Sequence, residues 1–283
     1  MPCINTILQT SQHALKTCSN SPELDGQLLL AHCLHVDRGF LFTWPDKKIA
    51  DTTYKNYQDL FARRLQGEPI AYLLGHASFW SLDLKVTADT LIPRPETEIL
   101  VELILARLPE NEALKILDLG TGSGAIALAL AKERPQWSIL ATDISTAALK
   151  VAEYNRQNLN LSNVSFVESH WLDQVPKQAF DAIVSNPPYI DPEDLCLHQD
   201  GLHFEPQMAL GSENHGLADL SHIIATASQF LSLGGTLAVE HGYEQQSQVC
   251  QLMRQAGFAK VEAHKDLAKN PRVVIAKTHE NNP

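Results

Sequence analysis

What this sequence lacks narrows it first. No apolar run approaches the roughly 18–20 residues needed to cross a bilayer, and the opening "MPCINTILQTSQHAL" has neither a signal h-region nor an Arg-rich transit pattern. A cytoplasmic protein with no membrane partner is expected. Only five cysteines occur (Cys3, Cys18, Cys33, Cys196 and Cys250), an odd number without C-x-x-C spacing. This argues against a disulfide framework or a zinc site and for reduced thiols. The twelve histidines include no H-x-x-x-H pair, and His32, His35, His198 and His203 sit in different local contexts, so no metal is expected.

Positive charge is also short. The net charge is −11: residues 1–95 carry nine Lys and Arg against nine Asp and Glu, and the remainder thirteen against twenty-four. A phosphate backbone is repelled by such a surface unless a basic groove compensates, and the second part has no clustered Lys/Arg run to build one. Direct binding of nucleic acid is disfavoured.

What is present is a chain of 283 residues with 44% hydrophobic content, enough for one large or two modest domains with cores of their own. Apolar residues recur at helical spacing through 4–16. Ser21, Pro22 and Glu23 place a proline at the first position of a second helix, and a third helical pattern runs over about 51–66. The period then changes. "ASFWSLDLKVT" alternates like two short strands with a turn at about Ser81, a connecting hairpin. From residue 114 strand-like and helical runs alternate, which implies a parallel sheet wrapped by helices. The last two strand-like runs are joined by only "LAKNP" and should pair antiparallel at the edge of the sheet.

Two strand ends carry the chemistry. "ILDLGTGSGAIALAL" (116–130) is a strand closing on Gly120, Gly122 and Gly124 before a helix, where glycines let backbone approach a ligand. Asp143, twenty-three residues after Gly120 at the end of the next strand, suits a pair of ribose hydroxyls. Alone, this pattern also fits a nicotinamide dinucleotide, with Ala125 as the third small residue. Trp171 falls just beyond the third strand, where an indole could stack on adenine.

"FDAIVS" (180–185) is a buried strand that delivers Asn186, Pro187, Pro188 and Tyr189. Each residue before a proline is pushed to extended backbone, so the loop is stiff. Neither proline has an N–H, so the loop offers carbonyls without matching donors, beside the acceptor of Asn186. It suits a ligand group that only donates, such as –NH2.

Together, "DLGTGSG", Asp143 and "NPPY" resemble the class I S-adenosylmethionine-dependent methyltransferases that modify planar amino groups. "LIPRPETE" (91–98), "FEPQMAL" (204–210) and "LAVEHGYEQ" (237–245) extend the likeness, in order, to the HemK/PrmC family over nearly the whole chain. The resemblance implies a Rossmann-like α/β domain at 96–283, with a mostly parallel seven-stranded sheet and an antiparallel edge strand. A helical substrate-recognition domain at 1–75 and a hairpin linker at 76–95 precede it. It implies methyl transfer from S-adenosyl-L-methionine to the glutamine amide of the Gly-Gly-Gln motif in class 1 peptide-chain release factors, by a monomer. The cofactor falls to the backbone of Gly120, Thr121, Gly122, Ser123 and Gly124, to Asp143 and Trp171, and to Asn186. Asn186, Pro187, Pro188 and Tyr189 receive the glutamine, with Asn186, Pro187 and Tyr189 catalytic.

An amide nitrogen is a poor nucleophile because its lone pair is delocalised into the carbonyl. The Asn186 side-chain oxygen and the Pro187 carbonyl can each accept one N–H, and the Tyr189 ring can lie against the amide plane. Glu205 and Glu240 are expected to be structural. Other readings are a DNA or RNA exocyclic-amine methyltransferase, which the charge opposes, and a nicotinamide-dependent oxidoreductase, which leaves "NPPY" unexplained. A non-catalytic module that kept the fold is a third.

Overall fold

The computed structural model describes residues 1–194 and 201–280. Cys196 and His198 lie outside the described residues. The chain divides into two compact units, one of residues 1–76 with 201–204 and one of residues 77–194 and 205–280.

The first unit is helical: α1 (Ile4–Leu15), α2 (Pro22–Leu34), α3 (Arg38–Thr43), α4 (Asp51–Leu65) and α5 (Ile70–Leu74). Pro22 starts α2, where its missing N–H costs nothing. Ile4, Ile7, Leu29, Leu30, Leu41 and Tyr57 close a core among these helices. The buried Asp25 carboxylate accepts from Arg64 at 2.8 Å and from the hydroxyls of Ser19 and Ser21.

A hairpin begins at the boundary between the units, with β1 (His76–Phe79) and β2 (Leu82–Lys85) turning through Trp80 and Ser81. Both turn residues have positive φ, as a tight two-residue hairpin requires. There follow α6 (Glu98–Arg107), β3 (Lys115–Leu119), α7 (Ala125–Glu133), β4 (Ser138–Asp143), α8 (Thr146–Asn158), β5 (Val164–Glu168) and β6 (Phe180–Ser185). The single turn α9 (Glu213–Gly216), α10 (Ala218–Ala227), β7 (Leu231–Glu240), α11 (Gln246–Gln255), β8 (Ala259–Lys265) and β9 (Pro271–Lys277) complete the second unit.

The strands form one seven-stranded sheet in the order β5-β4-β3-β6-β7-β9-β8. The β8–β9 pair stands at the margin as the sequence suggests. Of the two it is β9, one place in, that runs against the parallel set, and β8 is outermost. The β8–β9 ladder shifts register twice, between Ala259 and Glu262 and between His264 and Lys265.

Strand periodicity sorts side chains between the two faces. Ile116, Ala182 and Val184 join α6, α7 and the hairpin in one layer, while Leu117, Leu119 and Ile183 join α10 and α11 in the other. Each fully buried Leu or Ile contributes about 1.5–3 kcal/mol. Both layers are therefore anchored on the same central strands. Those strands are also where the chain reverses: it runs outward from β3 through β4 to β5, then returns to lay β6 on the other side of β3. A crevice opens at such a switch point, beyond the carboxyl ends of the strands.

Candidate active site

Parallel pairing puts Leu119 of β3 opposite Ser185 of β6, so the glycine loop and "NPPY" begin at the same height on adjacent strands. Ser185 is fully buried, and its hydroxyl donates to the Leu119 carbonyl at 2.8 Å, clamping the two strand ends. On the other side of β3, Leu119 faces Thr142 of β4, and Asp143 follows. Three strand ends thus converge on one cavity, whose lining includes Gly120, Gly122, Asp143, Trp171, Asn186 and Pro188. Pro206, Met208 and Ala209 of "FEPQMAL" form part of its wall.

The glycine loop contributes shape more than free donors. The N–H groups of Gly120 and Thr121 both go to the Thr142 carbonyl, that of Gly122 goes to Asp143 Oδ2 at 2.8 Å, and that of Gly124 goes to the Thr121 carbonyl. Gly120 has φ +73°, and a Cβ there would stand 3.2 Å from the Trp171 ring. Thr121, Ser123 and Gly124 lie outside the cavity lining. The buried Thr121 hydroxyl donates to Asp118 at 2.6 Å, and the Ser123 carbonyl accepts from Asn155. Gly124 takes φ +87° at the start of α7, where a Cβ would sit 2.9 Å from Leu128.

Asp143 accepts Gly122 N–H on one oxygen and Ser145 N–H, at 2.9 Å, on the other. Burial pushes its pKa up against these two bonds. Each carboxylate oxygen still has a lone pair for a ligand hydroxyl. Trp171 adopts φ +48°, and its indole N–H donates to Asp219 Oδ1 at 3.0 Å. Asp219 also accepts from the Ser212 hydroxyl at 2.6 Å, so the indole is steered by a carboxylate at the start of α10. Asp219 is a site residue that the sequence reading missed. An acid in the first turn of a helix ordinarily reads as a dipole partner, and nothing in its spacing ties it to a tryptophan forty-eight residues earlier.

Asn186 donates from Nδ2 to Thr97 Oγ1 at 3.1 Å, leaving Oδ1 with no protein donor among the described residues. Pro187 and Tyr189 stand outside the cavity lining. The Tyr189 ring packs into the layer with α10 and α11, and its hydroxyl donates to Glu240 Oε1 at 3.0 Å. Burial, then the Glu240 charge, raise its pKa above the ordinary phenol value. Glu240 is itself buried, which pushes its carboxyl up to about 7. Asp118, below the glycine loop, is pushed up to about 7 by the same cause. Glu205 is buried and faces the "LIPRPETE" segment. It accepts from Ile92 N–H at 3.1 Å and pairs with Arg94, fastening "LIPRPETE" to "FEPQMAL".

A Methyltransferase small domain model matches residues 96–198, and a PrmC N-terminal domain model matches residues 6–75. The release factor glutamine methyltransferase of Coxiella burnetii is 47% identical over 93% of this chain and 94% of its own. That of Shewanella oneidensis is 44% identical over 97% of this chain and 96% of its own. Among solved structures, a methyltransferase from Pyrococcus furiosus superposes with a TM-score of 0.54 at 18% identity, over 78% of this chain and 99% of that one, a likeness of fold. With near full-length identity of this order to curated relatives and both domain models in place, the chain belongs to the release factor glutamine methyltransferase family.

Proposed function

We propose that this protein transfers the methyl group of S-adenosyl-L-methionine to the side-chain amide nitrogen of the glutamine in the Gly-Gly-Gln motif of class 1 peptide-chain release factors. The observation that carries the reading is the pairing of Leu119 with Ser185, which sets a glycine-walled cavity beside a loop that offers acceptors to an –NH2 group.

The residues fit the cofactor. Gly120 and Gly122 leave room where a Cβ would crowd Trp171 or narrow the wall, Asp143 offers acceptors for vicinal hydroxyls, and the indole supplies a flat face held by Asp219. When bound, the cofactor supplies a methyl already activated by its sulfonium charge, so no Ser, Cys or His nucleophile is required.

The chain's own work is on the acceptor. Asn186 Oδ1 and the Pro187 carbonyl each accept one N–H of the glutamine amide. This fixes the nitrogen and meets the positive charge that develops on it. The two prolines keep the loop extended, so this geometry exists before substrate arrives. Tyr189, anchored on Glu240, fills the space behind the loop and excludes water. The helical unit engages the release factor, the protein acts as a monomer, and its place is the cytoplasm, where release factors work.

Tandem mass spectrometry of a class 1 release factor incubated with the protein and S-adenosyl-L-methionine tests this. One added methyl on the Gly-Gly-Gln glutamine is expected. A methyl on a nucleobase amine instead, or none on the glutamine, overturns the reading.

A further inference from the structure

The loop that receives the glutamine cannot hold itself in place. Pro187 and Pro188 have no N–H, so two of its four residues have no backbone donor with which to tie it to its surroundings. Its position must be set at its ends. At the entry, the Ser185 hydroxyl donates to the Leu119 carbonyl and Asn186 Nδ2 donates to Thr97 Oγ1. At the exit the work falls to Gln245, which closes the stretch "LAVEHGYEQ" and lies outside the cavity lining. Its side-chain nitrogen donates to the Tyr189 carbonyl at 2.9 Å and to the His215 carbonyl at 3.2 Å, and its Oε1 accepts from Gly242 N–H at 2.9 Å. Carbonyls only accept and the N–H only donates, so no other orientation of the amide satisfies all three.

The anchor on the far side of this amide is costly to build. Asn214, His215 and Gly216 take φ +55°, +54° and +78° in succession, a left-handed turn that residues with a Cβ rarely adopt. Its bonds run to the chain that leaves "NPPY". His215 Nδ1 meets Asp191 Oδ2 at 2.7 Å. Ser212, whose carbonyl accepts from Gly216 N–H, donates its own N–H to the Ile190 carbonyl at 2.9 Å. Gly216 is pressed so close to the Tyr189 carbonyl that a Cβ there would collide with it. Backbone strain of this kind persists only where the surrounding structure over-determines it, and it gathers at sites where position matters. We propose that Gln245 is a positioning residue for methyl transfer: its amide pins the Tyr189 carbonyl between the left-handed turn and the segment that follows β7, and so fixes where the Asn186 and Pro187 acceptors point.

The Pro187 carbonyl stands two residues before the pinned one, and the Asn186 side chain three. Both intervening prolines have φ fixed by their rings, so a shift of the Tyr189 carbonyl is passed back along the loop rather than absorbed. Displacing an aligned acceptor by about 1 Å can cost about 100-fold in rate. Gly120, Gly122, Asp143 and Trp171 come from other strand ends and keep their places in the cavity. The loss therefore falls on the transfer step and not on the cofactor.

This inference rests on the release factor reading. Its test is methylation of a class 1 release factor by the full-length wild type, Gln245→Glu and Gln245→Met, each also in an Asn186→Ala background, at about pH 8, where an introduced Glu is ionised. Gln245→Glu keeps the acceptor for Gly242 and loses both donors, and Gln245→Met keeps the length and loses all three bonds. Each should lose about 10- to 100-fold in kcat, with KM for the release factor and affinity for S-adenosylhomocysteine within about threefold of wild type. In the Asn186→Ala background, where the side-chain acceptor is already gone, the further loss should shrink to about threefold or less. Melting temperatures are followed, and all assays are run below the lowest of them. Should Gln245→Glu not fold, Gln245→Met, which buries no charge, carries the same expectation. Wild-type kcat in the folded variants, a cofactor affinity that falls as far as kcat, or an equal loss with and without Asn186 overturns the inference while leaving the reaction standing. A wild type that leaves the release factor unmethylated overturns the reaction itself and the inference with it.

Discussion

Single side chains in this site act through what their second atom touches. Asn186 spends its nitrogen on Thr97 and keeps its oxygen available, while Trp171 spends its N–H on Asp219 and keeps its ring face available. Replacing Asn186 by alanine should therefore remove an acceptor that matters chiefly when positive charge builds on the glutamine nitrogen. Turnover should fall by about 100-fold or more. Affinity for S-adenosylhomocysteine, measured by calorimetry, should fall by less than about tenfold, because Asp143 and the glycine walls persist. A comparable loss in both quantities would assign Asn186 to cofactor binding alone.

At the scale of elements, the junction of β3 with α7 carries the most constraint per residue. Gly124 starts α7 with φ +87° and has Leu128 where a Cβ would project. Gly124→Ala should cost about 1–3 kcal/mol from the left-handed backbone, with more from the collision. Urea denaturation should show the midpoint lowered with an unchanged slope, and a wild-type midpoint would contradict the packing. This junction was legible in the sequence because glycines, strand run and helix run coincide within fifteen residues. The β8–β9 pair was legible because too few residues separate its strands for a crossover. Helices α3 and α5, six and five residues long, were not, since neither completes two turns of apolar period. Thr97 and Asp219 were illegible for another reason. Each acts on a residue brought close only by the sheet, eighty-nine positions away for Thr97 and Asn186. "LIPRPETE" marks where Thr97 is, but nothing in it says that the threonine meets "NPPY".

For the whole molecule, two buried acids couple stability to pH. Asp118 and Glu240 both have folded pKa values raised to about 7 from ordinary values of 3.8 and 4.5. Between those limits the folded state holds protons on these two acids that the unfolded state has released, so their contribution to stability is fully present below about pH 4 and is lost as pH rises through about 7. The effect is on the order of a few kcal/mol and runs opposite to that of salt-bridged carboxylates. Asp118→Asn, which keeps an acceptor for the Thr121 hydroxyl, should flatten the dependence. Melting temperatures of variant and wild type should converge in acid and separate in favour of the variant above pH 7, and parallel curves would refute the assignment. The outermost strand has a different bearing on the molecule as a whole. Its two register shifts, with Lys260 at φ +50°, break the even row of N–H and C=O groups that another chain would need as a template. Lys260, Glu262 and Lys265 add charge along the same rim. A protein whose proposed substrate is another protein must tell one chain from many, and this margin of the sheet is built to refuse the rest.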